Sequence, residues 1–257
     1  MIKTQINVLK NPKLKNPICI VGLPGIGHIG RVAVEYMIHK LKAKKFATLY
    51  SPYFFPFVII HKDKIRTLRN EFFYYKNPKG RDLILIIGDV QTYDPKGHYE
   101  VCGNIIDFLK TQKCKEIITI GGFATGKIKK EPDIYAVTLN KEQDKKLKKF
   151  NIKLSVSGKI GTIVGAGGLL IGLGELKGMT GFCLLGETSG YPIVTDPNAA
   201  ENVLIELQKI LKLKFDLSGM AQKVEAMNEF IEKLNKVQEQ ASKMSGPKKE
   251  DQLRYIG

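Results

Sequence analysis

Four short apolar runs constrain the fold of this chain more than any other feature: residues 18–21 (Ile-Cys-Ile-Val), 83–87 (Leu-Ile-Leu-Ile-Ile), 116–120 (Glu-Ile-Ile-Thr-Ile) and 182–185 (Phe-Cys-Leu-Leu). None alternates with polar residues as a half-solvated strand does, so each reads as a strand buried on both faces. Helical stretches follow three of them, over 31–41, near 99–111 and from Asp196 onward. Thr195-Asp196-Pro197 is a sharp helix start, a capping side chain followed by proline at the first helical position. Strand-loop-helix units of this kind predict an α/β fold, a mainly parallel sheet flanked by helices. Between the first two units, residues 57–61, 65–68 and 72–75 are β-branched or aromatic and are separated by turn-like residues. They predict an antiparallel excursion.

With 257 residues, 43% of them hydrophobic, the chain can bury a substantial core. No apolar stretch reaches membrane-spanning length, because glycines break the longest candidate, 160–176. The N-terminal residues lack the apolar segment of a signal peptide. Cys19, Cys102, Cys114 and Cys183 are scattered, without CxxC or Cys/His spacing, so they read as reduced core residues of a cytoplasmic protein and no metal site is expected. The net charge of +16 comes almost wholly from lysine, with five arginines in the chain (Arg31, Arg66, Arg69, Arg81 and Arg254). The lysines fall among helix ends and loops along the whole sequence. That pattern favours a solvated basic surface, attracted to acidic proteins, over a nucleic-acid footprint.

The pattern changes after residue 215. Met220, Val224, Met227, Ile231 and Leu234 recur at alternating spacings of four and three, a coiled-coil-like seam. Such a helix packs either on its own domain or against another subunit. The expected organisation is therefore an α/β core over 1–215, an amphipathic helix over 216–245 and a polar tail over 246–257. The tail ends in Leu253-Arg254-Tyr255-Ile256-Gly257, which is either an ordinary frayed end or a set of anchors for a partner's pocket.

Several motifs invite a chemical reading. Gly25-Ile-Gly27-His-Ile-Gly30 matches the dinucleotide fingerprint, after a strand and before a helix. The next strand, however, carries no acidic residue to hold a ribose, and a tight strand-to-helix turn needs glycine in any case. Gly121 to Gly126-Lys127 satisfies GxxxxGK, but Ile128 stands where the magnesium-binding hydroxyl belongs. Asp89 closes a hydrophobic strand, as a Walker-type acid or simply as a turn former. Asp94, His98 and Tyr93 share its loop, and Gly186-Glu-Thr-Ser189-Gly190 places serine one position late for a nucleophile elbow. One reading is thus a nucleotide-binding or small-molecule enzyme using Gly25, Gly27, Gly30, Asp89, Gly126 and Lys127.

A second reading comes from the order of the segments. Residues 22–30 (Gly-Leu-Pro-Gly-Ile-Gly-His-Ile-Gly), Ile120-Gly-Gly-Phe123, 165–172, and Cys183-Leu-Leu-Gly-Glu-Thr-Ser-Gly-Tyr-Pro192 followed by Asp196-Pro-Asn-Ala-Ala200 together resemble the PAC2-type proteasome assembly chaperone family, in its archaeal form. The resemblance covers about residues 1–215. It implies a phosphorylase-like α/β fold with no established catalysis and no cofactor. It also implies a homo-oligomer that binds proteasome α-subunits or the α-ring. Archaeal members are expected to dock through a tail ending in hydrophobic-Tyr-X. Here Leu253, Tyr255, Ile256 and Gly257 would supply the contact, with tyrosine third from the end rather than penultimate and Arg254 in place of a hydrophobe.

Overall fold

In the computed structural model the described residues are 3–220, apart from 62, 128, 130, 155–160 and 191–194, and beyond them Gln222 and Lys236. The chain runs β1 (Gln5–Val8), β2 (Ile18–Gly22), a single 3-10 turn (Ile26–His28), α1 (Ile29–Lys40), β3 (Lys44–Tyr50), β4 (Val58–His61), β5 (Lys64–Thr67), β6 (Asn70–Tyr75), β7 (Leu83–Gly88) and α2 (Pro95–Thr111). It continues through β8 (Glu116–Ala124), β9 (Ile134–Thr138), α3 (Lys141–Leu147), α4 (Ala166–Leu176), β10 (Thr180–Thr188) and α5 (Pro197–Leu211).

The four apolar runs become four neighbouring parallel strands. The eight-stranded sheet has the order β1-β3-β6-β7-β2-β8-β10-β9, with β7, β2, β8 and β10 parallel at its centre. Antiparallel strands flank this centre, β6, β3 and β1 on one side and β9 on the other. A burial-on-both-faces sequence demands cover on both faces, and the helices supply it. Ile18, Ile20, Leu83, Leu85, Ile118 and Leu184 point into one core layer with α1 and α5. Their strand neighbours Cys19, Val21, Ile84, Ile86 and Ile117 point into the other, with α2 and α4. All four cysteines are buried and free, and burial raises each thiol above its usual range.

Caps set the helix starts. Asp94 accepts from the Lys96 and Gly97 amides and begins α2 at Pro95, four residues before the sequence pattern placed it. Asp196 accepts from Ala199 N and starts α5 as expected. The antiparallel excursion is present in two parts: β4 and β5 form a separate hairpin, while β6 joins the main sheet. Periodicity alone does not reveal β1, β9, α3 or α4. The glycine-rich run that would make a poor membrane span supplies α4, which lies across β8 and β10. No described helix is long and apolar enough to cross a membrane.

Candidate functional site

Parallel sheets place ligands at the carboxyl ends of their strands, and the fold brings the fingerprint loop after β2, Asp89 after β7 and Gly126-Lys127 after β8 to that one edge. Their contacts, however, are packing contacts.

At the fingerprint, Gly27 has φ +63°, a left-handed conformation that suits glycine, and its carbonyl accepts from Asp196 N at 2.9 Å. Gly30 is required for a different reason. A Cβ there would stand 2.3 Å from the Ile120 carbonyl oxygen, and one at Gly22 would stand 2.0 Å from the Gly30 oxygen. The first turn of α1 therefore rests directly on β2 and β8. Ile26 of the 3-10 turn closes over Gly122 in the same way, its carbonyl 2.3 Å from where a Cβ would lie. The cavity left between this loop, Gln91, Thr119, Ile163 and Val164 measures about 20 Å³, on the order of one water.

The GxxxxGK match is only half a loop. β8 continues through Gly121 to Ala124, paired with Leu185 to Thr188 of β10, so the first four residues of the motif are ladder rather than phosphate cradle. Gly126 follows with φ +72°, and Lys127 is exposed. Asp89, 7% exposed, is engaged by a guanidinium: Arg66 donates from Nη1 at 2.5 Å and from Nη2 at 2.9 Å, and Arg69 N donates at 3.1 Å. This fork ties the β4–β5 hairpin to the sheet, with Ile59 packed inward behind it. Arg31, from the first turn of α1, donates to the Gly88 carbonyl beside it.

His28 sits at the N-cap of α1 in a left-handed conformation (φ +50°) and is 7% exposed. Burial, aided by the Arg31 charge, pushes its imidazole down to about 4, so it is neutral in the fold. Its Nδ1 has no hydrogen-bond partner among the described residues. His98 is also lowered, chiefly by burial, and lies on α2 behind the Asp94 cap. In the late-serine motif the buried acid is Glu187. It accepts from Lys129 Nζ at 2.7 Å and from Asp133 N at 3.2 Å. Asp133, held by Lys153 and Lys129, has its carboxyl drawn down to about 2. This network, which sequence reasoning did not anticipate, pins the connection between β8 and β9. Among the described residues no group of three His, Cys, Asp or Glu side chains could hold a metal ion.

The residues singled out for partner binding, Leu253, Tyr255, Ile256 and Gly257, lie outside the described residues, as does most of the amphipathic seam. What is described is where that part of the chain departs. Past α5, the carbonyls of Asp216 and Ser218 lie 3.0 and 3.1 Å from the Tyr36 hydroxyl of α1, and Lys40 pairs with Asp216 at 3.4 Å. Phe215, Leu217 and Met220 pack on the same core layer. The C-terminal segment thus leaves from the C-terminal end of α1, opposite the glycine-loop edge.

Fold and edge together define an α/β protein with a mixed, doubly covered sheet whose strand-end crevice is closed by its own loops. Solved structures share that fold. Pyrococcus furiosus PbaB, described as an archaeal proteasome activator, superposes with a TM-score of 0.82 at 40% identity, covering 91% of this chain and 100% of that one. Pyrococcus furiosus PbaA, described as an archaeal homolog of proteasome-assembly chaperone, superposes with a TM-score of 0.74 at 25% identity, covering 95% and 100%. The uncharacterized protein MJ1210 of Methanocaldococcus jannaschii is 38% identical over 247 residues, 95% of this chain and 93% of its own length. The model of the PAC2 family matches residues 19–235, and the chain belongs to that family.

Proposed function

We propose that this protein is a proteasome-binding factor, an assembly chaperone or activator, that engages proteasome α-subunits or the α-ring. The observation that carries this reading is the likeness to PbaB, an archaeal proteasome activator, at 40% identity over nearly the whole chain. In this reading the cytoplasmic protein is a homo-oligomer built from the core over 1–215 and the amphipathic helix over 216–245. The tail over 246–257 inserts Leu253, Tyr255, Ile256 and the Gly257 carboxylate into pockets of the partner. Several tails on one oligomer raise apparent affinity through effective concentration, even where each binds weakly. No cofactor takes part.

The test is capture of purified archaeal proteasome α-rings by the full chain and by a chain ending at Gln252. Capture is expected to be lost in the shortened chain while circular dichroism and oligomer size are retained. Equal capture by both would remove the tail from the mechanism. Deleting Gly257 alone makes Tyr255 penultimate, and tighter capture is expected if register limits docking.

A further inference from the structure

The lysines that look dispersed along the sequence are gathered by the fold. β2, β7, β8 and β10 all begin at one edge of the sheet, and the connections entering that edge lie side by side. Ile18 N donates to the Asp82 carbonyl at 2.9 Å, Asp82 N to the Lys15 carbonyl at 3.2 Å, and Thr180 N to the Lys115 carbonyl at 2.8 Å. The register places Lys44 of β3 opposite Tyr74 of β6, two residues before the 76–82 connection.

Five basic segments meet at this edge, beside the α3 segment that follows β9 and the residues that lead into β10: 9–17, 40–45, 76–82, 110–116 and 209–216. Together they hold sixteen lysines and arginines against three acids, Asp82, Glu116 and Asp216, a net +13 out of the chain's +16. The described residues of the segments at the opposite edge, within 23–28, 51–57, 63–69, 89–94, 125–133 and 189–196, hold five basic residues against six acids, a net −1. The molecule is polarised along its strands.

Helix dipoles explain part of this, since lysine is favoured at helix C-termini such as those of α1, α2 and α5. They do not explain segments 9–17 and 76–82, which follow no helix and still carry six basic residues. Nor do internal ion pairs. Lys40, Lys45, Arg81 and Lys209 pair with described carboxylates, and the other twelve are exposed with no ion-pair partner among the described residues. Twelve lysines with no described ion-pair partner on one edge repel one another, a cost that an acidic partner would relieve.

The composition of the edge selects the partner. Arg81 is its single arginine, and its guanidinium is taken up by Glu116 and the Asn16 carbonyl, so no free fork is presented to phosphates or bases. Phe215, an aromatic of these segments, is packed against Tyr36 rather than offered for base stacking. The C-terminal segment leaves from this same edge, anchored through Asp216 and Ser218.

We infer that the lysine edge is a second docking face, one that receives an acidic protein surface on the same partner that the C-terminal tail engages. This rests on the proposed function above and adds to it a site within the folded core. A long-range field of this kind acts mainly on encounter, accelerating association by about 10- to 1000-fold at low salt, while the tail governs residence.

The test measures association and dissociation rates against purified archaeal proteasome α-rings at 50 mM and 500 mM salt. The proteins are the full chain, a quadruple variant (Lys10→Glu, Lys13→Glu, Lys79→Glu, Lys113→Glu) and the chain ending at Gln252. The four lysines are exposed and without ion pairs to described residues, so an unchanged melting temperature verifies the fold. The quadruple variant is expected to associate at least about tenfold more slowly at 50 mM salt, with the difference vanishing at 500 mM and the dissociation rate unchanged. If the shortened chain binds like the full chain while the quadruple variant does not, the tail reading fails and the edge stands. If charge reversal leaves both the rate and its salt dependence unchanged, the edge inference is overturned whatever the tail does. Binding of the full chain to a 30-base-pair DNA duplex that is lost on charge reversal, without any effect on α-ring binding, would also overturn it. A full chain that ignores α-rings at 50 mM salt overturns both readings.

Discussion

The two edges of the sheet differ in a way that the sequence inverts. The edge where β2, β7 and β8 end carries every motif that suggests chemistry, yet it is nearly neutral and filled by its own loops. The edge where those strands begin carries no motif, only lysines, and holds most of the net charge of the molecule. Residue patterns such as GxGxxG and a strand-end aspartate mark close packing as readily as catalysis, and here Gly30 and Asp89 are engaged in packing. The lysines, individually bland, become a feature once neighbouring strands bring their connections together.

Four substitutions would break or sharpen that contrast. The largest effect is expected at Gly30. Gly30→Val must displace the Ile120 backbone, so a loss of about 3 kcal/mol or more is expected in urea unfolding, with insoluble expression as the extreme outcome. A fully stable Gly30→Val protein would mean that the loop is a cradle and not a packed turn.

Next comes Asp89→Ala, which leaves the Arg66 guanidinium without its carboxylate. A cost of about 2–3 kcal/mol is expected, at the lower end for a broken buried pair because the Arg66 side chain is 25% exposed. Amide exchange should rise first in β4 and β5. The double variant Asp89→Asn, Arg66→Met should recover part of the loss, whereas an acid with a chemical role would show no such recovery.

A comparable effect depends on pH. His28 titrates near 6.5 in the unfolded chain and about 4 in the fold, so the unfolded state binds the proton more readily. Stability from this group is complete above about pH 6.5 and is lost as pH falls toward 4, by about 3 kcal/mol over the whole window. The drop in melting temperature between pH 7 and pH 5 should shrink in His28→Asn, because asparagine tolerates the left-handed φ and does not titrate. An equal drop in both proteins would show that His28 is not the group responsible.

The smallest effect is expected at Lys127→Ala. The side chain is exposed and in no described ion pair, so a change within about 0.5 kcal/mol is predicted from thermal melts. Stabilisation of the wild-type protein by ATP that disappears in this variant would restore the phosphate-binding reading.

Much of the fold was legible in advance, for identifiable reasons. Doubly buried strands must be uniformly apolar, which exposed β2, β7, β8 and β10. Asp196-Pro197 and the hairpin residues are local signals that need no tertiary context. β1 and β9 escaped because both are short edge strands of four and five residues, with Gln5 to Val8 mostly exposed. α4 escaped because glycine, a poor helix former, is tolerated there by packing of Gly174 and its neighbours on the sheet.

The candidate site divides along the same line. The sequence by itself determined the parallel centre, the cap-driven start of α5, and the family, because these depend on periodicity, capping and the order of motifs. Only the tertiary structure decided that the glycine loop is closed, that Asp89 belongs to Arg66, and that lysines up to about two hundred positions apart share one edge. The physical reason is that burial and Coulomb interactions depend on distance in space, and connections remote in sequence become neighbours only when their strands pair.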